Sequence, residues 1–425
     1  MQNTSRRMAE SIIVIEGGKR LEGEVTLSGA KNAALPMLVA ACIGKEPTTL
    51  ENVPIGTNDV QIMLDLLSKI GADVSIDGAT VTISRGDMKS RNIPVECVAK
   101  IRYSLLLLGL FLGLGMDVSM PQSGGCDIGE RKYDLHLMGL RKLGAYIRET
   151  PGGIHAKARE LRGKEIEFYL PTTSGTQNVI LGALFAEGET IIKNANTRPE
   201  NIEFAKLLNA MGGKVEARNR IVKVEGVKQI RGGVTFKIMN GWDEAVTYIV
   251  AAGVTAGEIM IQDITTQYIK SDLKYLAEAG VDVFEWGNNL YVKSHAALKP
   301  FDLFTAPYPG VNSDMQPIFT SLALAAHGES TITDMRFTDR FRYIEELRQF
   351  NADINVYGNC AVINGGRRLS GATVRATDLR GGAAEVLCGL FAEGRTQITD
   401  SYQIERGYED IVGKLKELGA AIYCD

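Results

Sequence analysis

The 425-residue chain has little of what announces the common chemistries. Its six cysteines, Cys42, Cys97, Cys126, Cys360, Cys388 and Cys424, lie far apart, and no two make a C-x-x-C pair. That excludes a zinc ribbon and gives no disulfide framework. Most of them sit in apolar surroundings and read as small buried hydrophobes; Cys126 is the exception. Histidine is scarce, with only residues 136, 155, 295 and 327, none at metal-ligand spacing, and there is no H-E-x-x-H pair. A metal centre is not expected. No G-x-x-x-x-G-K-[ST] phosphate loop is present either. With 47 Lys and Arg against 51 Asp and Glu, the formal charge of −4 supplies no basic field for nucleic acid. It leaves room for a local basic pocket that takes a small anion. Long apolar runs are missing as well. The longest, Leu105 to Met116, is too short to span a bilayer and reads as a buried helix. The opening MQNTSRRMAESIIVIEGG has no apolar stretch of signal-peptide length. The expectation is a cytoplasmic protein with no membrane or nucleic-acid partner.

What the chain does have is periodic glycine. Length alone suggests two or three domains. An amphipathic helix end followed by Gly and a strand recurs as LSKIGADVSI, LRKLGAYI, LNAMGGKV, LAEAGVDV, LRQFNADI and LKELGAAI. The punctuating residues are Gly71, Gly144, Gly212, Gly280, Asn351 and Gly419, spaced by 73, 68, 68, 71 and 68. Gly and Asn are the residues that best tolerate the left-handed position closing a helix. A second phrase interleaves with the first: an apolar helix, Gly, then a β-branched strand, as in LGALFAEGETII, AAGVTAGEIMI, LALAAHGESTI and CGLFAEGRTQI. Helices apolar on every face belong in an interior. The period exceeds that of ordinary solenoids, roughly 20–50 residues. The reading is α/β, with two domains of three repeated units each, helices buried and sheets outside.

Three stretches could carry chemistry. In LSGAKNAALP, Lys31 and Asn32 open a helix after a strand, where a lysine can meet an anion beside free backbone N–H groups. Taken alone, a lysine at such a place is usually just solvated. In SGGCDIGERKYDLH, Cys126 lies in a glycine-rich polar stretch, with Arg131 and Lys132 near enough to favour the thiolate. It is a candidate acid, base or nucleophile, or an incidental surface thiol. The third set is Arg102, Asp314, Arg340, Asp378, Arg380 and Arg406. Single charges are usually solvated or paired, and spacing cannot show convergence. Repeat geometry makes an interdomain cleft a reasonable meeting place.

Together, SGAKNAALP, GGCDIGERKYDLH, SDMQP, ATDLRGGA and IERGYE resemble the UDP-N-acetylglucosamine 1-carboxyvinyltransferase family, from about Ile15 to the C-terminus. The related shikimate-pathway enzyme has a serine-rich turn where this chain has Lys31-Asn32, and lacks the cysteine loop. The resemblance implies the enolpyruvyl transferase fold, two inside-out α/β domains. Residues 31–239 would form one, carrying Cys126; residues 1–30 with 240–425 would form the other, carrying Asp314 and Arg406. It implies a monomer that needs no cofactor. Its substrates would be phosphoenolpyruvate and a uridine nucleotide, in peptidoglycan synthesis. Cys126 matches the acid and adduct cysteine, Asp314 the carboxylate that takes the acceptor's hydroxyl proton, and Lys31, Arg131 and Arg406 the cations on phosphoenolpyruvate. Arg102 and Arg340 would stand nearby, and Asn32 would touch the acceptor. Arg131, Lys132, Tyr133, Asp134, Leu135 and His136 match the segment lining the uracil. Thr173, Ser174 and Gly175 would cradle the diphosphate. Arg336 and Phe337 fall beside the sugar pocket, and Asp378 with Arg380 at the closing lid. The pattern departs at Pro171, where a lysine is usual, at Trp242, where an arginine is common, and at Arg336, where a small apolar residue is. These departures keep open another acceptor, such as uridine monophosphate in a secondary-metabolite pathway, or a non-catalytic nucleotide-binding paralogue.

Overall fold

The computed structural model describes residues 12–89, 93–121, 132–295 and 297–425. They divide into two compact units, residues 29–239 and residues 12–28 with 240–425.

Each unit is built on three interior helices. Residues 29–239 contribute Lys31–Ala41, Leu106–Gly113 and Thr173–Ala183. The other unit contributes Trp242–Val254, Gln316–Ala325 and Leu379–Phe391. Leu106–Gly113 reads LLLGLFLG and buries every side chain, because a helix without a polar face has nothing to offer water. The amphipathic helices flank them. Asn58–Lys69, for example, buries Val60, Met63, Leu66 and Leu67 and leaves Gln61, Asp65 and Ser68 exposed. The punctuating residues behave as their chemistry requires: Gly71, Gly144, Gly212, Gly280, Asn351 and Gly419 have φ of 101°, 109°, 102°, 93°, 65° and 94°. All six lie in the left-handed region, where a β-carbon is strained.

Six sheets enclose these helices among the described residues, three in each unit. In one, Thr235–Lys237, Thr48–Glu51, Thr80–Ser84 and Asp73–Asp77 lie side by side, the first pair parallel and the rest antiparallel. Thr80–Ser84 alternates buried Val81 and Ile83 with half-exposed Thr80, Thr82 and Ser84, so one face of the sheet meets the helices and the other meets water. The chain start completes the C-terminal unit. Ile13–Glu16 inserts between Arg395–Thr399 and Ala421–Cys424, and Glu22–Thr26 runs parallel to Glu258–Gln262.

Two interior helices of residues 29–239 run the same way. A β-carbon on Gly109 would lie 2.2 Å from Asn178 O, and one on Gly113 would lie 2.6 Å from Leu181 O. Helices Leu106–Gly113 and Thr173–Ala183 thus touch at matching depths, and only glycine permits that approach. In the other unit Ser321 Oγ donates to Ala384 O at 3.0 Å, again at equal depth. The N-terminal, electropositive ends of Leu106–Gly113 and Thr173–Ala183 therefore lie at one end of residues 29–239.

Cys42, Cys97 and Cys388 are buried, as expected, but Cys360 is half-buried and Cys424 exposed. Cys424 ends the edge strand Ala421–Cys424.

Asp272, near the start of helix Lys270–Ala279, is buried with Oδ1 unpartnered among the described residues. Burial pushes its pKa from 3.8 up to about 7. The folded chain then holds a proton that the unfolded chain releases near pH 4. Stability present at acid pH is lost as the pH rises from about 4 to about 7, in total up to about 4 kcal/mol. Asp272→Asn is expected to abolish that slope. Denaturant titrations followed through Trp242 and Trp286, both in this unit, should show the variant clearly more stable at pH 8 and not at pH 4. An equal offset at both values would contradict the assignment.

Candidate active site

In residues 29–239, Lys31 is the first residue of helix Lys31–Ala41, which no side chain caps. Its Nζ lies 3.0 Å from Oδ2 of Asp59, and both side chains are largely buried. Asp59 belongs to the first turn of helix Asn58–Lys69. An ammonium has three hydrogens, so Lys31 can keep Asp59 and still meet an anion at the helix start. Asn32 follows it, half-buried.

Arg102 opens the single turn Arg102–Leu105 that leads into Leu106–Gly113. Its Nη2 donates to Lys132 O at 2.8 Å, which ties down the start of the 132–136 segment. Within that segment Lys132 is exposed and Leu135 buried. Half-buried Tyr133 has its phenol pKa raised by burial and by Glu149. Asp134, exposed, accepts from Tyr169 OH at 2.5 Å.

His136 is only 2% exposed. Its Nε2 is 3.1 Å from Ser174 Oγ, and its Nδ1 is 3.0 Å from Asn178 Nδ2. Burial first, and Arg102 second, pull its pKa from 6.5 down to about 3, so the ring is neutral. Ser174 and Thr173 begin helix Thr173–Ala183, where Thr172 Oγ1 caps by accepting from Gly175 N–H at 3.3 Å. Thr173 Oγ1 in turn accepts from Asn196 Nδ2 at 3.1 Å. The result is a helix start with two half-buried hydroxyls and unfilled backbone donors, suited to an anion. Pro171 is buried just before the cap.

In the second unit, Asp378 caps helix Leu379–Phe391, accepting from the N–H groups of Arg380 and Gly381 at 3.0 and 3.2 Å. The same Oδ1 is 3.4 Å from Nη1 of Arg340, a guanidinium buried almost completely. Nη2 of Arg340 is 3.8 Å from Oδ1 of Asp314, whose side chain remains 33% exposed. Asp314 is set in the turn Ser313–Met315, where its N–H donates to Asn312 Oδ1 at 3.1 Å. Buried Asp334 braces the neighbourhood, accepting from Ser313 Oγ at 2.5 Å and from the N–H groups of Arg336 and Phe337 at 2.8 and 2.9 Å. The Arg336 guanidinium lies 5.7 Å from the centre of the Phe337 ring. Arg380 is 3% exposed, ion-paired to Asp243 and stacked 5.0 Å from the Tyr408 ring. Arg406, half-buried, donates to Gln403 Oε1 at 3.3 Å.

The structure thus ties Arg102 to Lys132, and His136 to Ser174, in the first unit. In the second it joins Asp314, Arg340 and Asp378. Cys126 and Arg131 lie outside the described residues. Trp242 is 5% exposed and serves as a packed first residue of its helix. Five residues escaped the sequence reading: Asp59, Asn178, Asn196, Asp243 and Asp334. The functional side chains they hold are remote in the chain, and only the repeat register of Asp243, one residue into an interior helix, could have pointed to it.

Comparison with known proteins follows from this geometry. Residues 15–415 match the family described as EPSP synthase (3-phosphoshikimate 1-carboxyvinyltransferase). The chain is 41% identical over 409 residues to UDP-N-acetylglucosamine 1-carboxyvinyltransferase 1 of Carboxydothermus hydrogenoformans, covering 96% of this chain and 97% of that protein. It is 40% identical to the protein of the same name from Caldanaerobacter subterraneus, with 96% and 98% covered. Among solved structures, the enolpyruvyl transferase NikO from Streptomyces tendae superposes with a TM-score of 0.88 at 24% identity, covering 98% of this chain and 99% of NikO. EPSP synthase from Acinetobacter baumannii gives 0.73 at 18%, covering 98% and 100%. At these identities the two structures speak for the fold.

Proposed function

This chain belongs to the enolpyruvyl transferase family, and we propose that it moves the enolpyruvyl group of phosphoenolpyruvate onto the 3-hydroxyl of UDP-N-acetylglucosamine. One observation carries the reading: identity near 40% along almost the whole length of relatives that bear the name of that reaction. It is a cytoplasmic step of peptidoglycan synthesis in this reading. No helix among the described residues is long and apolar enough to cross a membrane.

The chemistry is addition followed by elimination. C3 of phosphoenolpyruvate takes a proton, from Cys126 in this assignment, while the acceptor oxygen attacks C2 and its proton passes to Asp314. The tetrahedral ketal then expels phosphate, and C3 gives its proton back, leaving an enol ether. Asp314 suits the base role because a third of its side chain stays exposed, so a substrate hydroxyl can reach the carboxylate. Lys31, Arg131 and Arg406 are assigned to the phosphate and carboxylate of phosphoenolpyruvate, with Arg102 and Arg340 adding to the field. A substrate bearing both groups calls for several fixed cations, and these also favour the departing phosphate. Asn32, Arg336, Phe337, Thr173, Ser174, Gly175 and the 132–136 segment are assigned to the acceptor, and Asp378 and Arg380 to closure. His136, being buried, serves there from behind.

A second reading keeps the reaction and changes the acceptor. Pro171 in place of a lysine removes a cation from the diphosphate cradle, which favours a smaller uridine nucleotide such as uridine monophosphate. Phosphate release from phosphoenolpyruvate, measured with UDP-N-acetylglucosamine, UDP and UMP in parallel, decides. Release is expected with the sugar nucleotide. Release with UMP alone would establish the second reading, and none with any of the three would reject both.

A further inference from the structure

The two hydroxyls at the start of helix Thr173–Ala183 have their direction set from behind. Asn178 is fully buried, and its amide is oriented twice over. Gly109 N–H donates to Oδ1 at 2.7 Å, and Nδ2 donates to Leu105 O at 2.9 Å. A flipped amide would oppose donor to donor at Gly109 and acceptor to acceptor at Leu105. The second Nδ2 hydrogen therefore meets His136 Nδ1, which has to accept it. A neutral imidazole that accepts at Nδ1 carries its hydrogen on Nε2. That hydrogen goes to Ser174 Oγ. Thr173 reaches the same state by another route. Arg198 N–H donates to Asn196 Oδ1 at 3.0 Å, which leaves Asn196 Nδ2 to donate to Thr173 Oγ1. Each hydroxyl is filled from the inner side and keeps one hydrogen to give. No acceptor among the described residues takes either hydrogen.

We propose that Asn178, acting through His136, and Asn196, acting directly, are positioning residues that make Ser174 and Thr173 a matched pair of donors to the acceptor's diphosphate. The inference rests on the acceptor reading above. A hydroxyl free to rotate spends part of its time offering a lone pair, which a phosphate oxygen repels. One whose lone pair is already engaged offers its hydrogen without reorganising. The device supplies directed neutral donors where Pro171 leaves the cradle without a lysine. Simple satisfaction of buried polar groups would account for Asn178 and His136. It does not account for two separate relays that leave adjacent hydroxyls with the same polarity.

The test begins on the unaltered protein with nitrogen-15-labelled histidine, which gives only four imidazoles to assign. His136 is expected in the Nε2–H form and unchanged from pH 8 to pH 5. An Nδ1–H ring would overturn the proposal. Asn178→Asp offers His136 an acceptor, moves the ring hydrogen to Nδ1 and turns the Ser174 hydrogen inward. The KM for UDP-N-acetylglucosamine should then rise roughly ten- to hundredfold, with the KM for phosphoenolpyruvate and kcat within about twofold. Ser174→Ala should do the same alone and add nothing in the Asn178→Asp background. Multiplying effects, or a KM for phosphoenolpyruvate that moves in step, would refute the relay. Should Asn178→Asp fail to fold, Asn196→Asp with Thr173→Val poses the same cycle at the second hydroxyl. Failure of the acceptor reading looks different: the unaltered enzyme itself would show no turnover with the sugar nucleotide.

Discussion

Replacing Asp314 by Asn is expected to lower kcat about a thousandfold, within the range by which general bases contribute, while leaving folding and the KM for phosphoenolpyruvate near those of the parent. The two side chains are nearly isosteric, so the hydrogen bond from Asp314 N–H to Asn312 Oδ1 survives. What disappears is the ability to take a proton. Of the three charged groups clustered here, Arg340 and Asp378 are buried and Asp314 alone keeps a third of its side chain exposed. A substrate hydroxyl can therefore reach Asp314 and neither of the others. The arginine behind it lies 3.8 Å from Asp314 and 3.4 Å from Asp378 and so fixes the two carboxylates relative to each other. Steady-state phosphate release at saturating substrates measures the effect. Turnover within tenfold of the parent, from a variant with an unchanged unfolding midpoint, would remove Asp314 from the proton-transfer step.

Much of the scaffold was readable because it repeats. The residue closing each amphipathic helix has to enter the left-handed region, and six such residues at near-constant spacing declare six units whatever lies between them. All-round apolar helices were equally legible, since no other place in a soluble fold accepts LLLGLFLG. The site was legible only in part. Lys31, Asp314 and Asp378 could be singled out from their local phrases, and Lys31 placed at a helix start. The groups that hold them could not. Asp59 reaches Lys31 across 28 residues, and Asn178 reaches His136 across 42. Such pairings depend on which helices stand side by side, and helix packing leaves no local periodicity. His136 shows the consequence. Within RKYDLH it reads as a member of a pocket-lining run, yet helix geometry turns it inward onto Asn178 and Ser174. Arg380 is similar: its neighbour Asp378 caps the helix, and the first turn carries the Arg380 side chain onto Asp243 and Tyr408.

Asp378→Ala should produce the largest loss of stability among single changes in this cluster, about 4 kcal/mol. Two separate costs make up that figure. Losing the cap leaves the Arg380 and Gly381 N–H groups unserved, at about 1 kcal/mol. Losing the charge leaves Arg340 buried with, among the described residues, only Asp314, at 3.8 Å, to answer it, which costs about 3 kcal/mol. Arg340 has little reserve, because its Nε already lacks an acceptor among the described residues. Asp378→Asn separates the two terms. Its amide oxygen still caps the helix, so it should lose only about 3 kcal/mol, the part owed to charge. Pairing it with Arg340→Leu should recover much of that loss, since the guanidinium in need of a partner is gone. Denaturant unfolding read through Trp242 and Trp286 resolves the series. If Asp378→Asn were as stable as the parent, Asp314 would be the sufficient counter-ion of Arg340. If Asp378→Ala matched Asp378→Asn, the cap would contribute nothing. With Asp378 gone, Arg340 is drawn towards Asp314 and covers the oxygen that has to take the proton, so kcat should fall together with stability.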